Sequence, residues 1–273
     1  MANTKKVKPQ TVFLEAAGFT ISLVFEPCEQ VFFEERLLEV IDVYKKAGFV
    51  KKTSKKSDFK IIFRSNDKNS IEIHRKNNKH YYLTFIRSFE KNTVETFYYI
   101  GLIELQILIK EVFSHLLERN NGFMLHSSGV MDRSGNLKLF MAKTGGGKTT
   151  VSNLLASTTK YKKFCDDVVI VRKVGGNWKY SSPPFVEKTH ISQKMSAVNS
   201  RLFFVKKSKK ALVKPVKGKG AVIKPFLEQI WFREEKINPK TLSSALEFIE
   251  NHDFWVLNSV LDVNKLKGAL DET

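Results

Sequence analysis

The sequence predicts a mixed α/β chain, with a small α+β domain over residues 1–97, a connecting helix over 98–120 and a hairpin-rich, mixed-sheet domain over 121–273. Three observations favour this fold class. Short β-like runs surround one helical segment at the start, a strongly apolar helix follows, and hairpins flank a glycine-rich loop later on. A doubly wound parallel sheet would need a helix in nearly every connection, and the later sequence supplies too few helices.

The first domain is expected to contain short strands separated by polar, turn-forming stretches. One helix is expected over 34–47, where the apolar residues recur at helical spacing. The expected strands cover 11–25, 59–63, 70–74 and 80–89.

The connecting segment is predicted to be a buried helix. Its apolar residues between 98 and 118 fill more than one helical face, which is typical of a helix packed between layers. Glu104, Lys110 and Glu111 interrupt it, and a membrane-spanning helix would tolerate these charges poorly. The first ten residues have no apolar core of signal-peptide length, and the two cysteines lie far apart, so a cytoplasmic protein without a disulfide is expected.

The third domain is expected to place its glycine loop between a strand and a helix. Strands over 123–131 and 137–141 are joined by the turn DRSGN, and a helix is expected to begin near Lys148. Later strands are expected over 164–171, 178–181, 202–205, 211–216, 229–232 and 254–260, and later helices over 222–228 and 242–250.

The loop itself, FMAKTGGGKTT at 140–150, is close to the phosphate-binding pattern G-x-x-x-x-G-K-[ST], with Ala142 in place of the first glycine. Backbone N–H groups after Lys143 can converge on a triphosphate, Lys148 can reach its β- and γ-phosphates, and the Thr149 hydroxyl can bind Mg²⁺. A glycine-rich structural turn is the alternative. The predicted nucleotide-binding residues are Thr144, Gly145, Gly146, Gly147, Lys148, Thr149 and Thr150.

Asp166, Asp167 and His126 are the candidate partners of the loop. Phosphoryl transfer requires a carboxylate near the metal. Adjacent carboxylates on a strand point to opposite faces unless the strand ends or bulges there, and if this strand flanks the loop, either aspartate can hold Mg²⁺ directly or through water while its neighbour meets the substrate. His126 lies one strand upstream of the loop, where it can orient a carboxylate base or contact the phosphate. The alternatives are structural, with an aspartate that caps a turn and a histidine that belongs to the core.

The motifs LHSSGV, AKTGGGKTT and CDDVVIV together resemble the catalytic domain of HPr kinase/phosphorylase, which shares its P-loop core with ATP-dependent phosphoenolpyruvate carboxykinase. The resemblance implies ATP- and Mg²⁺-dependent phosphorylation of a hydroxyl, on a serine of a protein or peptide or on a small compound. It also implies the roles of single residues. His126 and Asp166 match the catalytic histidine and general base, Lys148 the phosphate-binding lysine, and Thr149 and Asp167 the metal-side residues.

Two further features bear on the acceptor and the partners. No E-[IV]-R-G-x-G signature occurs between 171 and 191, which argues against HPr itself as the acceptor, while the family's ring-shaped oligomers imply a homo-oligomer. Lys217 and Lys219 in PVKGKGA are interpreted as solvated loop lysines or, alternatively, as cations near the phosphates.

Three functions remain open at the level of sequence. The first is the kinase. The second is a nucleotide-binding sensor or partner-binding module without turnover. The third is a nucleic-acid-linked P-loop ATPase, which the net charge of +18 favours but the lack of an apolar run ending in Asp-Glu opposes. The same charge fits an acidic partner, although scattered, solvated lysines explain it as well.

Overall fold

The structure, a computed structural model, describes residues 5–7, 10–26, 28–31, 36–52, 56–64, 74–76, 79–81, 91–97, 102–187, 190–231 and 238–271. By its contacts the chain divides into two compact units. The first is Met1–Leu116 with Pro184–Ile191, and the second is Leu117–Pro183 with Ser192–Thr273. The sequence contained no sign that 184–191 would group with the first unit.

The elements up to residue 118 are β1 (Lys5–Val7), β2 (Gln10–Ala16), β3 (Phe19–Phe25), β4 (Cys28–Val31), α1 (Arg36–Lys46), β5 (Val50–Lys51), β6 (Phe59–Arg64), β7 (His74–Lys76), β8 (Lys79–Tyr81), β9 (Thr93–Phe97) and α2 (Leu102–Glu118). The later elements are β10 (Gly122–His126), β11 (Ser128–Asp132), β12 (Leu137–Met141), α3 (Lys148–Ala156), β13 (Tyr161–Cys165), β14 (Val168–Val174), β15 (Asn177–Ser181), β16 (Val186–Glu187), β17 (His190–Ile191), β18 (Ser196–Ala197), β19 (Ser200–Lys207), β20 (Leu212–Pro215), α4 (Gly220–Leu227), β21 (Ile230–Trp231), α5 (Pro239–Glu250), β22 (Phe254–Ser259) and α6 (Val263–Asp271). The chain is therefore mixed α/β, as predicted.

The first unit is built on a five-stranded sheet with the order β5-β2-β3-β6-β9, in which β3, β6 and β9 run parallel. The strand expected over 11–25 is a hairpin. Ala17 and Gly18 both have positive φ, at 53° and 76°, which matches the twist of a tight hairpin turn. The strands expected over 70–74 and 80–89 lie mostly outside the described residues.

Two helices pack within this unit. Gln106 of α2 donates to the Tyr44 hydroxyl of α1 at 3.3 Å, and the His115 ring of α2 meets Phe59 of the sheet edge-on. Phe185 packs against Phe113 of α2 with ring centroids 5.9 Å apart, which explains why the segment 184–191 belongs to this unit.

The second unit contains two larger sheets. One is fully antiparallel, with the order β18-β15-β14-β10-β21. The other has the order β13-β11-β12-β19-β22-β20, and in it β12, β19 and β22 run parallel while the other pairs are antiparallel. The predicted mixture of hairpins and parallel pairs is present in this second sheet.

Alternation along the strands creates two apolar layers. Leu137, Leu139 and Met141 of β12 share one cluster with Leu125 and Val169 of the antiparallel sheet, so the two sheets pack face to face. Phe140 points to the opposite face and joins a second cluster with residues of α3 and α6. The sequence predicted α4 and α5 to within a few residues, but it did not predict α6.

Two expected strands are broken. The strand predicted over 123–131 ends at His126 and resumes at Ser128, and the strand predicted over 164–171 is interrupted at Asp166 and Asp167. In both places the chain leaves one sheet and enters the other, so a continuous strand is geometrically excluded. Among the described residues, no helix is long and apolar enough to cross a membrane.

Candidate active site

The glycine loop connects β12 to α3, as the sequence predicted. Gly145 and Gly147 have φ values of 76° and 97°, which side chains rarely tolerate. Gly146 is required for a different reason. A Cβ on it would lie 2.6 Å from Ala142 Cβ and 2.8 Å from the Lys143 carbonyl oxygen. The three consecutive glycines therefore allow a compact turn whose exit is the amino end of α3, the kind of site that binds phosphate.

Lys148 is the first residue of α3, and its side chain is buried against the loop. Its Nζ donates to the Ala142 carbonyl oxygen at 2.7 Å. Burial lowers the Lys148 pKa below its ordinary value, although the charges of Asp167 and Asp166 oppose the shift. Ala142 supplies only its backbone carbonyl to this contact.

Two neighbouring chain corners bring the aspartates close to His126. The Ser127 N–H donates to the Asp167 carbonyl at 3.1 Å, and the Cys165 thiol donates to the Ser127 carbonyl at 3.6 Å. These contacts join the β10–β11 corner to the β13–β14 corner. Asp166 and Asp167 consequently lie in a bend outside both strands, where adjacent side chains need not point to opposite faces.

Asp166 is held by several donors. Ser128 Oγ donates to its Oδ1 at 2.9 Å and to its backbone carbonyl, and Lys163 Nζ lies 2.9 Å from the same Oδ1. Burial alone would raise the Asp166 pKa, but Lys163, Ser128 and Thr149 outweigh it and hold the pKa below its usual value.

Asp167 has a different environment. Its Oδ1 lies 3.0 Å from Nε2 of His126, and 56% of its side chain is exposed, against 15% for Asp166. The His126 backbone N–H donates to the Gln229 carbonyl at 2.7 Å, which anchors the end of β10. The structure thus brings together the loop, both aspartates and His126, all of which the sequence had singled out.

Lys163 is a site residue that the sequence analysis missed. Besides Asp166, its Nζ contacts Ser152 Oγ and Asn153 Oδ1, each at 2.6 Å. It thereby ties Asp166 to the first turns of α3. No pattern in the sequence reveals this role, since the contacts depend on how α3 packs against β13. Ser128 could have been found, because it belongs to the LHSSGV motif.

A cavity of about 660 Å³ adjoins the loop on another side. Residues 141–146 form one wall, and residues of β19, α4 and β22 form the others. Lys217 and Lys219, the candidate cations, are not among its lining residues. Lys219 donates to the His252 carbonyl, and Lys217 is exposed.

The residues present fit a phosphate and a magnesium ion. The close approach at Gly146 is to atoms of the loop itself, Ala142 Cβ and the Lys143 carbonyl oxygen, so the loop is tightly folded directly before the amino end of α3, where backbone N–H groups can receive an anion. The described residues contain no group of three or more His, Cys, Asp or Glu side chains able to hold a metal by themselves. Mg²⁺ needs only one or two carboxylates when phosphates and water complete its coordination, and Asp166 beside Thr149 offers that arrangement.

The comparison with known protein families finds no match to this chain, and the comparison with curated proteins finds none either. The resemblance to HPr kinases accordingly rests on the three short motifs.

Proposed function

We propose that this protein is an ATP- and Mg²⁺-dependent kinase of the HPr-kinase type, which transfers the γ-phosphate to a hydroxyl group. One observation supports this function above all. Asp166 is held by Lys163 and Ser128, each at 2.9 Å, and the next residue, Asp167, is paired with His126 at 3.0 Å. Phosphate binding alone requires the loop, but it does not require a histidine–carboxylate pair beside it.

The loop and Lys148 bind the phosphates in this proposal. The N–H groups from Thr144 to Thr150 surround the phosphate oxygens, and Lys148 exchanges its bond to the Ala142 carbonyl for the β- and γ-phosphates. Thr149 and the Asp166 carboxylate would hold Mg²⁺, and the ion would neutralise negative charge on the phosphoryl group that is transferred.

The contacts favour a division of roles between the aspartates that differs from the motif-based expectation. The motifs assign the role of general base to Asp166 and the role of magnesium ligand to Asp167. Asp166, however, accepts bonds from Lys163 and Ser128 and has a lowered pKa, to which the nearby Thr149 also contributes, so it is a poor proton acceptor. Asp167 is more exposed and is oriented by His126.

Asp167 is therefore the proposed base. Its carboxylate takes the proton of the acceptor hydroxyl as that oxygen bonds to the γ-phosphorus, and the bond between the γ-phosphorus and the bridging oxygen breaks to release ADP. His126 orients the carboxylate through the contact at 3.0 Å.

Three variants test these assignments. Lys148→Ala should abolish Mg-ATP binding measured by calorimetry, whereas Lys160→Ala, at an exposed ion pair with Asp271, should leave it unchanged.

Asp167→Asn should suppress transfer of labelled γ-phosphate to components of a cell extract while ATP affinity stays within about threefold. Asp166→Asn should mainly weaken the Mg²⁺ dependence of binding.

Unaltered ATP affinity in Lys148→Ala would refute the nucleotide site. Transfer that survives in Asp167→Asn but not in Asp166→Asn would restore the roles that the motifs assign. Binding without any transfer by the wild-type protein would instead support a nucleotide sensor without turnover.

A further inference from the structure

The segment 200–227, which forms β19, β20 and α4, concentrates the positive charge of the second unit. It contains nine cationic residues and no aspartate or glutamate. The nine are Arg201, Lys206, Lys207, Lys209, Lys210, Lys214, Lys217, Lys219 and Lys224. Two of them have partners, since Arg201 lies over the Trp255 ring at 5.6 Å and Lys219 meets Asp253 at 3.8 Å.

The other seven cations of this segment are exposed lysines. In the part of the chain that the structure describes, none of the seven forms an ion pair. Lysines in other elements do find carboxylates, as Lys160, Lys163 and Lys173 show. Unpaired like charges that lie close together repel one another, so their grouping is typical of a surface that receives a partner of opposite charge.

Strand pairing places one of these lysines beside the cavity that adjoins the glycine loop. Met141 of β12 pairs with Phe204 of β19, which pairs with Val256 of β22. Val256 pairs in turn with Lys214 of β20, the edge strand of this sheet. Residues that pair directly share one face of a sheet. The first three line the cavity, so Lys214 continues their row to the edge of the sheet.

Four more lysines lie along the same cavity. Lys206 and Lys207 line it themselves, and Lys217 and Lys224 are each next in sequence to a residue that lines it. We define the lysine rim as Lys206, Lys207, Lys214, Lys217 and Lys224. Because the glycine loop forms a wall of this cavity, the lysine rim and the proposed phosphate site border the same space.

We propose that the lysine rim binds an acidic segment of the protein that accepts the phosphoryl group. This inference rests on the proposed function and narrows its acceptor to a protein that carries aspartate or glutamate residues near, or docked beside, its reactive hydroxyl. The rim attracts these carboxylates and thereby raises the concentration of the acceptor beside the glycine loop.

The side chains of the segment favour carboxylates over nucleic acid. Eight of its nine cations are lysines, which bind carboxylates as point charges, and its one arginine is stacked on Trp255. Phe203 and Phe226 are buried and Phe204 is half-buried, so the segment has no exposed aromatic ring on which bases could stack. A duplex needs no stacking platform, so duplex DNA is the competitor in the test.

Binding of a fluorescently labelled polyglutamate peptide, followed by anisotropy, tests the rim directly. Lys206→Glu/Lys207→Glu reverses two charges of the rim, and Lys206→Gln/Lys207→Gln removes the same charges if the glutamates destabilise the fold. The matched control, Lys179→Glu/Lys240→Glu, reverses two exposed lysines on β15 and α5 that do not line the cavity. Calorimetry with Mg-ATP and a melting curve accompany each variant.

We expect Lys206→Glu/Lys207→Glu to weaken polyglutamate binding by about tenfold or more, with a smaller loss for the glutamine variant and a change within about twofold for the control. Affinity for Mg-ATP should stay within about threefold in all variants. Transfer of labelled γ-phosphate to the proteins of a cell extract should fall by about tenfold in the glutamate variant of the rim.

Equal polyglutamate binding by the wild type and both rim variants would overturn the inference. Duplex DNA that binds the rim about tenfold more tightly than polyglutamate would overturn it in favour of nucleic acid. Parallel loss of Mg-ATP binding in the rim variants would overturn it too, because the lysines would then belong to the nucleotide site. A wild-type protein that binds polyglutamate through the rim but neither binds Mg-ATP nor transfers phosphate would refute the proposed function, and with it the role of the partner as acceptor.

Discussion

Gly146 determines how closely the glycine loop can fold on itself. A Cβ at this position would overlap Ala142 Cβ at 2.6 Å and the Lys143 carbonyl at 2.8 Å, and both contacts involve atoms with little freedom to move. The Gly146 N–H also donates to the Lys143 carbonyl at 2.8 Å, so the two chain segments are already in contact.

Gly146→Ala should therefore open the turn and reduce Mg-ATP affinity by about tenfold or more, measured by calorimetry. The matched control is Gly268→Ala in α6, where a Cβ meets no described atom within 4 Å and φ is not positive. That control should stabilise its helix by about 0.5–1 kcal/mol and leave binding unchanged. Full affinity in Gly146→Ala would show that the loop adopts another shape.

Lys163 controls the ionisation of Asp166. The lowered pKa of Asp166 means that its carboxylate stabilises the folded state above the unfolded-state value, near pH 4, and that this contribution is lost as the pH falls through the lowered folded-state pKa. Lys163 also holds Ser152 and Asn153, so it acts as a positioning residue for the carboxylate and the start of α3 together.

Lys163→Met should lower the free energy of unfolding at pH 7 by about 1–3 kcal/mol, because burial then raises the Asp166 pKa without the opposing cation. The deficit should shrink as the pH falls below about 4, where the unfolded-state carboxyl is protonated. Urea titrations across this pH range measure it. Lys160→Met, which removes an exposed pair with Asp271, should cost less than about 1 kcal/mol. A pH-independent deficit would mean that only the Ser152 and Asn153 bonds matter.

At the scale of elements, the two sheet corners explain why the site exists. A single continuous strand over 123–131 would carry His126 and Ser128 on the same face of one sheet. The break at Ser127 instead lets His126 end β10 in one sheet while Ser128 begins β11 in the other. Short runs of apolar residues on both sides of LHSSGV predict strand, but they do not say that the strand changes sheets.

Helix α5 is an element whose start can be tested directly. Asn238 Oδ1 accepts from the Lys240 N–H at 2.9 Å, and Pro239 occupies the first helical position. The helix places Phe248 in the core, where its ring lies 5.4 Å from Phe123 and 5.1 Å from Trp178.

Asn238→Ala should reduce the free energy of unfolding by about 1 kcal/mol, because the Lys240 N–H loses its acceptor. Asn238→Ser should retain most of the stability, since a hydroxyl also caps well. Urea denaturation measures both changes. An alanine variant as stable as the wild type would indicate that water replaces the cap without cost.

At the scale of the whole molecule, the net charge of +18 is spread over many lysines, and several of these lysines form ion pairs within the second unit. Lys163, Lys160 and Lys173 pair with Asp166, Asp271 and Glu247, so these cations serve the fold or the site. Others, such as Lys206 and Lys207, are exposed beside the cavity. These pairings show that part of the charge excess has roles within the protein itself.

The sequence predicts the helices and the site residues through different signals. The apolar spacing of 242–250 was sufficient to predict α5, because burial of one helical face requires it, and the apolar residues on more than one face of 98–118 were sufficient to predict α2 as a buried helix. Helix α6 escaped prediction, since only Leu266 and Leu270 are buried in it and the signal is short. The site residues in the loop and the aspartate pair were identified because their chemistry demands particular residue types in a local pattern.

The sequence by itself determined the residues of the glycine loop, the presence of His126, Asp166 and Asp167, and the mixed α/β class, because these depend on local composition and spacing. Only the tertiary structure decided that His126 pairs with Asp167, that Lys163 and Ser128 hold Asp166, and that a cavity adjoins the loop. The physical reason is that these contacts join residues far apart in the chain. Strand pairing and the two sheet corners bring them together, and neither leaves a local signature.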